Sequence, residues 1–147
     1  KIEFNTGFTL IELLVVITIL GILSVVGLGS FQSSQMKGRD AQRKQDLGQV
    51  QRALEMYYND KKGYPDALPA AGGEWQDTSV TDGALYIKSV PGDPRGGDYC
   101  YESDGLYYKL YAKLENLQDS KRITPDSTTC TLANGYNYGI SSGNIAP

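Results

Sequence analysis

The chain has 147 residues, with 14 basic and 17 acidic side chains, a net charge of −3, two cysteines and no histidine. This length accommodates one domain and one long helix. A zinc site with the usual ligands is not expected, because histidine is absent and only two cysteines are available. The sequence also contains no G-x-S-x-G motif or phosphate-binding loop, so we predict that the protein is not an enzyme and needs no cofactor.

The first predicted element is an apolar helix over residues 8–31. Its 24 residues span about 36 Å, enough to cross a hydrocarbon core of about 30 Å. One acid, Glu12, lies in its first turn, where a lone carboxylate is costly and normally marks a function. A secretory signal peptide is the alternative, because small residues near Ser30 could mimic a cleavage site. The apolar region of such a peptide is shorter, however, at about 7–15 residues.

Residues 7–20, with the sequence GFTLIELLVVITIL, resemble the N-terminus of type IV prepilins and pseudopilins. In these families the leader is cut after the glycine, and the new N-terminal phenylalanine is methylated. The resemblance implies that a prepilin peptidase cuts between Gly7 and Phe8, so that residues 1–7 are the leader. It also implies that Glu12 pairs with the amino terminus of a neighbouring subunit when the helical filament assembles.

The helical pattern continues beyond the apolar segment as an amphipathic helix over residues 32–62. Apolar residues recur three or four positions apart and form one stripe. The stripe comprises Met36, Leu47, Val50, Leu54 and Tyr57, with Arg43 on the same face. Gly63 followed by Pro65 predicts the end of the helix near Asp60. We expect the apolar half to be surrounded by lipid or by other copies, and the amphipathic half to pack against a domain.

Three glycines are the predicted points of bending or local melting in the helix. Many type IV pilins carry a proline late in the apolar segment, whereas this chain has Gly29 there, with Gly21 and Gly27 nearby. Each glycine costs about 1 kcal/mol in a helix interior, so the helix is weakest at these positions.

Residues 63–147 predict a small antiparallel β domain. Residues 106–114 alternate between apolar and aromatic or basic side chains, which is typical of a strand with one buried face. Asp104-Gly105 predicts a hairpin that pairs this strand with residues 99–101. Asn134-Gly135 opens a further candidate strand over residues 136–140.

These elements together predict an α+β fold of the type IV pilin kind. A long N-terminal helix packs its amphipathic half against a small antiparallel sheet, so that both apolar faces are covered. Residues 66–83 are interpreted as a loop that is anchored by Trp75.

The resemblance implies a single-pass protein of the cytoplasmic membrane with an extracytoplasmic domain. In that setting, Cys100 and Cys130 are expected to form a disulfide, and two buried free thiols are the alternative. Charge counting alone would place the domain inside, because more basic residues follow the apolar segment than precede it. The prepilin motif and the cysteine pair favour the outside.

A second resemblance lies at residues 90–99, which look like the P-x-D-P-W-G-x-P-Y loop of major pseudopilins of type II secretion systems. Asp93, Pro94 and Tyr99 match this pattern, whereas Arg95 replaces the tryptophan. The match extends the family resemblance into the β domain.

Those pseudopilins often hold calcium in a C-terminal loop rich in aspartate and glycine. In this chain, residues 139–144 contain no acid, whereas calcium takes six to eight oxygen ligands, usually including several carboxylates. We therefore expect no metal, and we expect the Cys100–Cys130 disulfide to hold the loop instead.

Charge is distributed unevenly along the chain. Residues 32–62 carry seven basic and four acidic residues, a net charge of +3, and residues 63–147 carry six basic and eleven acidic residues, a net charge of −5. The basic stem of one copy could therefore meet the acidic domain of another. The acidic domain is not expected to bind nucleic acid, which requires clustered basic residues.

We predict a structural subunit of a type IV pilus or pseudopilus-like filament, assembled by pilus or type II secretion machinery. The alternative function is a membrane-tethered binding module that uses a tyrosine-rich surface, because seven tyrosines lie on the predicted strands and turns. These are Tyr99, Tyr101, Tyr107, Tyr108, Tyr111, Tyr136 and Tyr138. Tyrosines in such a sheet more often serve packing or subunit contacts.

Overall fold

A computed structural model describes residues 7–143, apart from the side chains of residues 26–29. One long helix is followed by five short strands, which confirms the predicted α+β fold. The elements are α1 (Leu10–Lys61), β1 (Trp75–Gln76), β2 (Leu85–Ile87), β3 (Cys100–Ser103), β4 (Tyr108–Ala112) and β5 (Tyr138–Ser141). The chain divides into two compact units, the first ending at Met36 and the second beginning at Lys37. Residues 1–6 of the predicted leader lie outside the described residues.

In the first unit, residues 10–25 of α1 expose apolar side chains on every side of the helix. Its large apolar side chains from Leu10 to Val25 are all exposed. The helix is long and apolar enough to cross a membrane, as predicted. A helix that is apolar all round needs lipid or other apolar surfaces around it.

In the second unit, α1 buries the centre of the predicted stripe, while Tyr57 is partly buried and Met36 falls in the first unit. Leu47, Val50 and Leu54 are buried in one core with residues of β4. The helix ends at Lys61, one residue beyond the expected end. Lys62 then adopts a left-handed backbone conformation, with φ of 59°, and its N–H donates to the Tyr58 carbonyl at 2.8 Å. Such a left-handed residue is the usual way to close a helix C-terminus.

The main sheet has three antiparallel strands in the order β3-β4-β5. The predicted hairpin at Asp104-Gly105 joins β3 to β4, but β4 is shorter than the sequence pattern indicates. Leu106, expected on the buried face, is 67% exposed. The Asp104 carboxylate accepts the N–H groups of Leu106 and Tyr107, at 3.0 and 2.8 Å, and so extends the turn over those residues.

Two other parts of the β domain differ from the expectation. Asn134-Gly135 closes a short 3₁₀ helix (Leu132–Asn134), and β5 begins only at Tyr138. Within the stretch interpreted as loop, Trp75 begins β1, which pairs with β2 in a separate two-stranded sheet. Trp75 is buried, as expected of an anchor.

Both faces of the main sheet are covered. Tyr108 and Leu110 belong to the core shared with α1, but Tyr111, on the opposite face, is also fully buried. The connection between β4 and β5, residues 113–137, covers this second face and is called the covering loop below. Its Asp126 carbonyl accepts the Tyr111 hydroxyl at 3.4 Å, which explains why the predicted open face is not open.

Candidate functional site

The N-terminus of α1 holds Glu12 in a capping box. Thr9 immediately precedes the helix, and its backbone N–H and hydroxyl both donate to Glu12 Oε2, at 2.8 and 2.7 Å. In return, the Glu12 N–H donates to the Thr9 hydroxyl at 3.3 Å. This reciprocal pattern is the T-x-x-E signature of a helix start. The spacing of Thr9 and Glu12 is a signal for this capping role that is present in the sequence alone.

The capped carboxylate lies among exposed apolar side chains. Phe8, Ile11, Val15 and Val16 line a shallow groove together with Glu12, and Phe8 is 84% exposed. Both bonds from Thr9 go to Oε2, so neither of them occupies Oε1. The geometry therefore offers an anionic oxygen on an apolar surface that could accept a bond from a cation.

The remaining predicted N-terminal residues have open surroundings where the structure describes them. Among the described residues, and apart from the chain neighbours and the helix's own backbone, no atom lies within 4 Å of the position that a Cβ would take at Gly7 or at Gly21. The helix is continuous through Gly21, Gly27 and Gly29, and the surroundings of the last two are outside the described part of the chain. Bending at these glycines and cleavage after Gly7 stay predictions.

A buried ionic cluster forms the second candidate site, centred on Arg43 in α1. The Arg43 side chain is only 2% exposed. Its Nε and Nη2 donate to the two oxygens of Asp93, at 2.6 and 2.9 Å, in a bidentate pair. Its Nη1 donates to Asp40 and Glu115, at 2.8 and 2.9 Å. The hydrogen bonds that Arg43 donates to Asp93 come first among the causes that raise the pKa of Arg43 further above its ordinary value.

The carboxylates of this cluster join α1 to two loops. Asp40 accepts the backbone N–H groups of Glu115 and Asn116, at 2.9 and 2.8 Å. Glu115 also receives a bidentate pair from Arg39, with both bonds at 2.7 Å. The hydrogen bonds from Arg39, followed by those from Arg43, lower the pKa of Glu115 to about 2. The helix therefore fixes the start of the covering loop through charge-assisted bonds.

Residues of the stretch 90–99 take part in this cluster or lie beside it. Asp93, which matches the family pattern, is the bidentate partner of Arg43. Arg95, which replaces the tryptophan, donates to Glu115 at 2.8 Å. The Tyr99 hydroxyl donates to the buried Asp46 at 2.7 Å. Arg43 lies on the face of the predicted stripe, but its partners Asp93 and Glu115 lie far away in sequence and left no local signal.

The structure changes the interpretation of the uneven charge. Four of the seven basic residues of the stem pair with acids of the domain in the same chain. These pairs are Arg39–Glu115, Arg43–Asp93, Lys44–Asp119 and Lys61–Asp77. These charges are therefore satisfied within one chain, and not held free for another copy as the sequence suggested.

A disulfide joins Cys100 of β3 to Cys130 of the covering loop, with 5.9 Å between the Cα atoms. Cys130 is fully buried. The two cysteines therefore cross-link the sheet to the covering loop, and the alternative of two free thiols does not apply. Within the described residues, no group of three or more acids, histidines or cysteines is arranged to hold a metal ion.

Comparisons with known proteins agree with these features. Residues 5–28 match the prokaryotic N-terminal methylation motif, and residues 31–114 match type II secretion system protein G. The chain is 34% identical to a type II secretion system core protein G of Vibrio cholerae, covering 71% of this chain and 75% of that protein. It is 37% identical to the core protein G of Aeromonas hydrophila, covering 72% and 78%. With the core protein G of Escherichia coli K12 it shares 28% identity over 92% of each chain. No solved structure matches the chain significantly.

Proposed function

This chain belongs to the family of type II secretion system protein G, the structural subunits of pseudopili, and we propose on that basis how it is processed and assembled. A prepilin peptidase removes the leader after Gly7. Residues 8–31 hold the subunit in the cytoplasmic membrane as a single span, with residues 63–147 on the extracytoplasmic side. The secretion machinery then polymerises the subunits into a helical filament through their N-terminal helices.

The observation that carries this proposal is the exposed apolar helix with one capped acid at its start. An apolar surface of this extent is stable in lipid, and it is equally stable against the helices of other copies. The subunit can therefore move from membrane to filament without exposing the helix to water.

In this proposal, Glu12 supplies the charged contact between neighbouring subunits. Cleavage after Gly7 creates a new α-amino group on Phe8, and an isolated carboxylate in an apolar setting is stabilised by an opposite charge. We propose that Glu12 keeps its capping bonds from Thr9 while the subunit waits in the membrane. On docking, its carboxylate binds the Phe8 amine of the neighbouring subunit.

The proposed cleavage is tested by determining the N-terminus of the protein isolated from membranes. Mass spectrometry should find a mature chain that begins at methylated Phe8. A mature chain beginning near Ser30 would contradict the prepilin mechanism and favour a secretory signal peptide.

The proposed pairing is tested with Glu12→Val and Glu12→Gln. Both remove the charge, so membrane abundance should be unchanged or higher, while the yield of sheared filaments should fall by about tenfold or more, equivalent to roughly 1.4 kcal/mol of docking energy. Thr18→Val is the matched control, because its hydroxyl donates only to the Leu14 carbonyl of its own helix turn. Normal filament yield from both Glu12 variants would refute the pairing.

The alternative of a tyrosine-rich binding surface has less support. Tyr108 and Tyr111 are fully buried. The hydroxyls of Tyr99 and Tyr101 donate to Asp46 and to the Pro65 carbonyl, at 2.7 and 2.8 Å. These side chains serve packing within the domain, and a binding module would in addition remain dispersed in the membrane.

A further inference from the structure

We propose that the covering loop, residues 113–137, is locked over the sheet by the Cys100–Cys130 disulfide and by cations of the helix and the sheet, so that it folds independently of calcium. This inference goes beyond the proposed function, because it concerns how the domain is stabilised and not how subunits assemble. It also extends to residues 113–137 the expectation, made from the sequence for residues 139–144, that a disulfide and not calcium holds this part of the domain.

Each acid of the covering loop is already paired with a cation from outside the loop. Glu115 binds guanidinium groups at its start, including that of Arg43 at 2.9 Å. Asp119, near the middle, binds the ammonium group of Lys44 from α1. Asp126 binds the ammonium group of Lys109 from β4 at 3.1 Å. The three carboxylates thus bind separate sets of cations, with three arginines on Glu115 and one lysine on each of the other two.

This donor set does not fit a calcium ion. Calcium requires six to eight oxygens converging on one point, usually with several carboxylates among them. At Glu115 and Asp119, whose side chains are only 15% and 17% exposed, the metal would have to displace guanidinium or ammonium groups. The Asp126 side chain is 89% exposed, so its pair with Lys109 holds the loop only weakly. Hydrogen bonds from Lys44 are the largest cause that lowers the pKa of Asp119, which is consistent with a carboxylate already stabilised by a cation.

Neutral bonds and the disulfide complete the lock. At the base of the loop, the Asn137 side chain bridges Leu114, accepting its N–H at 2.7 Å and donating to its carbonyl at 3.0 Å. Farther along, the Ser127 hydroxyl donates to Glu102 of β3 at 2.7 Å. The disulfide then fixes the same stretch to the first residue of β3. Cross-linking residues 30 apart in sequence strongly restricts the open states of such a loop.

Limited proteolysis of the full chain in detergent micelles tests the lock. Trypsin can cut the loop at Lys121 and Arg122, which gives a direct measure of loop opening. We expect the cleavage rates in excess calcium chloride and in excess EGTA to agree within about twofold. If calcium does not bind the loop, it adds nothing to the stability of the closed loop. Adding a reductant should accelerate cleavage by about tenfold or more.

Variants separate the two components of the lock. The double variant Cys100→Ser, Cys130→Ser should reproduce the effect of the reductant. If this variant does not fold, adding the reductant to the folded protein still tests the role of the disulfide. Lys44→Gln should be cut faster than Lys37→Gln, a control on the exposed side of the same helix. Calcium slowing cleavage of the oxidised protein by tenfold, or a reductant leaving cleavage unchanged, would overturn the proposal. Equal rates for the two lysine variants would contradict the role of Lys44.

Discussion

Replacing Arg43 by glutamine tests whether the ionic cluster holds the helix to the domain. The change removes two bonds to Asp93 and one each to Asp40 and Glu115, all of 2.9 Å or less. Removing one partner of a buried ion pair typically costs about 3–5 kcal/mol, because it leaves a buried charge without compensation.

The structure places the expected cost at the lower end of that range. After the change, Asp40 keeps two backbone N–H donors and Glu115 keeps its pairs with Arg39 and Arg95. We therefore expect a loss of about 3 kcal/mol in the free energy of unfolding, a large part of the 5–15 kcal/mol typical of a domain. Arg43→Lys should lose less, because it keeps the charge but not the bidentate geometry.

The assay is urea unfolding of the full chain in detergent, followed by tryptophan fluorescence. Trp75 is the only tryptophan and is buried in the core of the domain. With a denaturant slope of about 2 kcal/mol per molar urea, the midpoint should fall by about 1.5 M. Arg52→Gln, exposed on the same helix, is the control and should change stability by less than about 0.5 kcal/mol. A loss below about 1 kcal/mol in Arg43→Gln, or a loss equal to that of the control, would refute the reasoning.

Two further predictions concern pH and packing. Since hydrogen bonds from Arg39 lower the pKa of Glu115 to about 2 in the folded state, below its ordinary 4.5, its contribution to stability is present above about pH 4.5 and is lost as the pH falls towards 2. The slope of unfolding free energy against pH in this window should decrease in Glu115→Gln. Gly139→Ala would place a Cβ only 2.5 Å from the Tyr111 ring, so it should cost about 1–3 kcal/mol in urea unfolding. Gly143→Ala, whose Cβ would contact no neighbouring atom among the described residues, should be neutral, and equal effects of the two alanines would contradict the packing described for the second face of the sheet.

Sequence patterns predicted the parts of the fold that local periodicity determines. The spacing of Leu47, Val50 and Leu54 identified the buried stripe of the helix, and Asp104-Gly105 identified the hairpin. Both signals depend on residues close together in the chain, where helix and turn geometry leave few alternatives.

The parts that the sequence did not reveal depend on distant residues or on very short elements. Tyr111 alternates as if it faced solvent, and only the covering loop, which arrives later in the chain, buries it. The partners of Arg43 lie about 50 to 72 residues away, apart from Asp40 on the same helix. The strand that begins at Trp75 has two residues, too few for an alternating pattern to appear.

At the N-terminus, the sequence also carries a local signal for the surroundings of Glu12. Glu12 stood out as a lone acid, but the residue that holds it, Thr9, forms a capping box recognisable from its spacing alone. The family resemblance directed attention to the neighbouring subunit as the partner of Glu12 and away from its own helix turn.

The most direct test is to determine the structure of filaments built from this chain. Helical reconstruction by electron cryo-microscopy should reach a resolution that shows side chains. The account predicts that the chain begins at Phe8 and that the Glu12 carboxylate lies within about 4 Å of the Phe8 amino group of a neighbouring subunit, in a core of packed apolar helices. A reconstruction in which Glu12 faces its own Thr9 alone, with no amino terminus near it, would contradict the central claim.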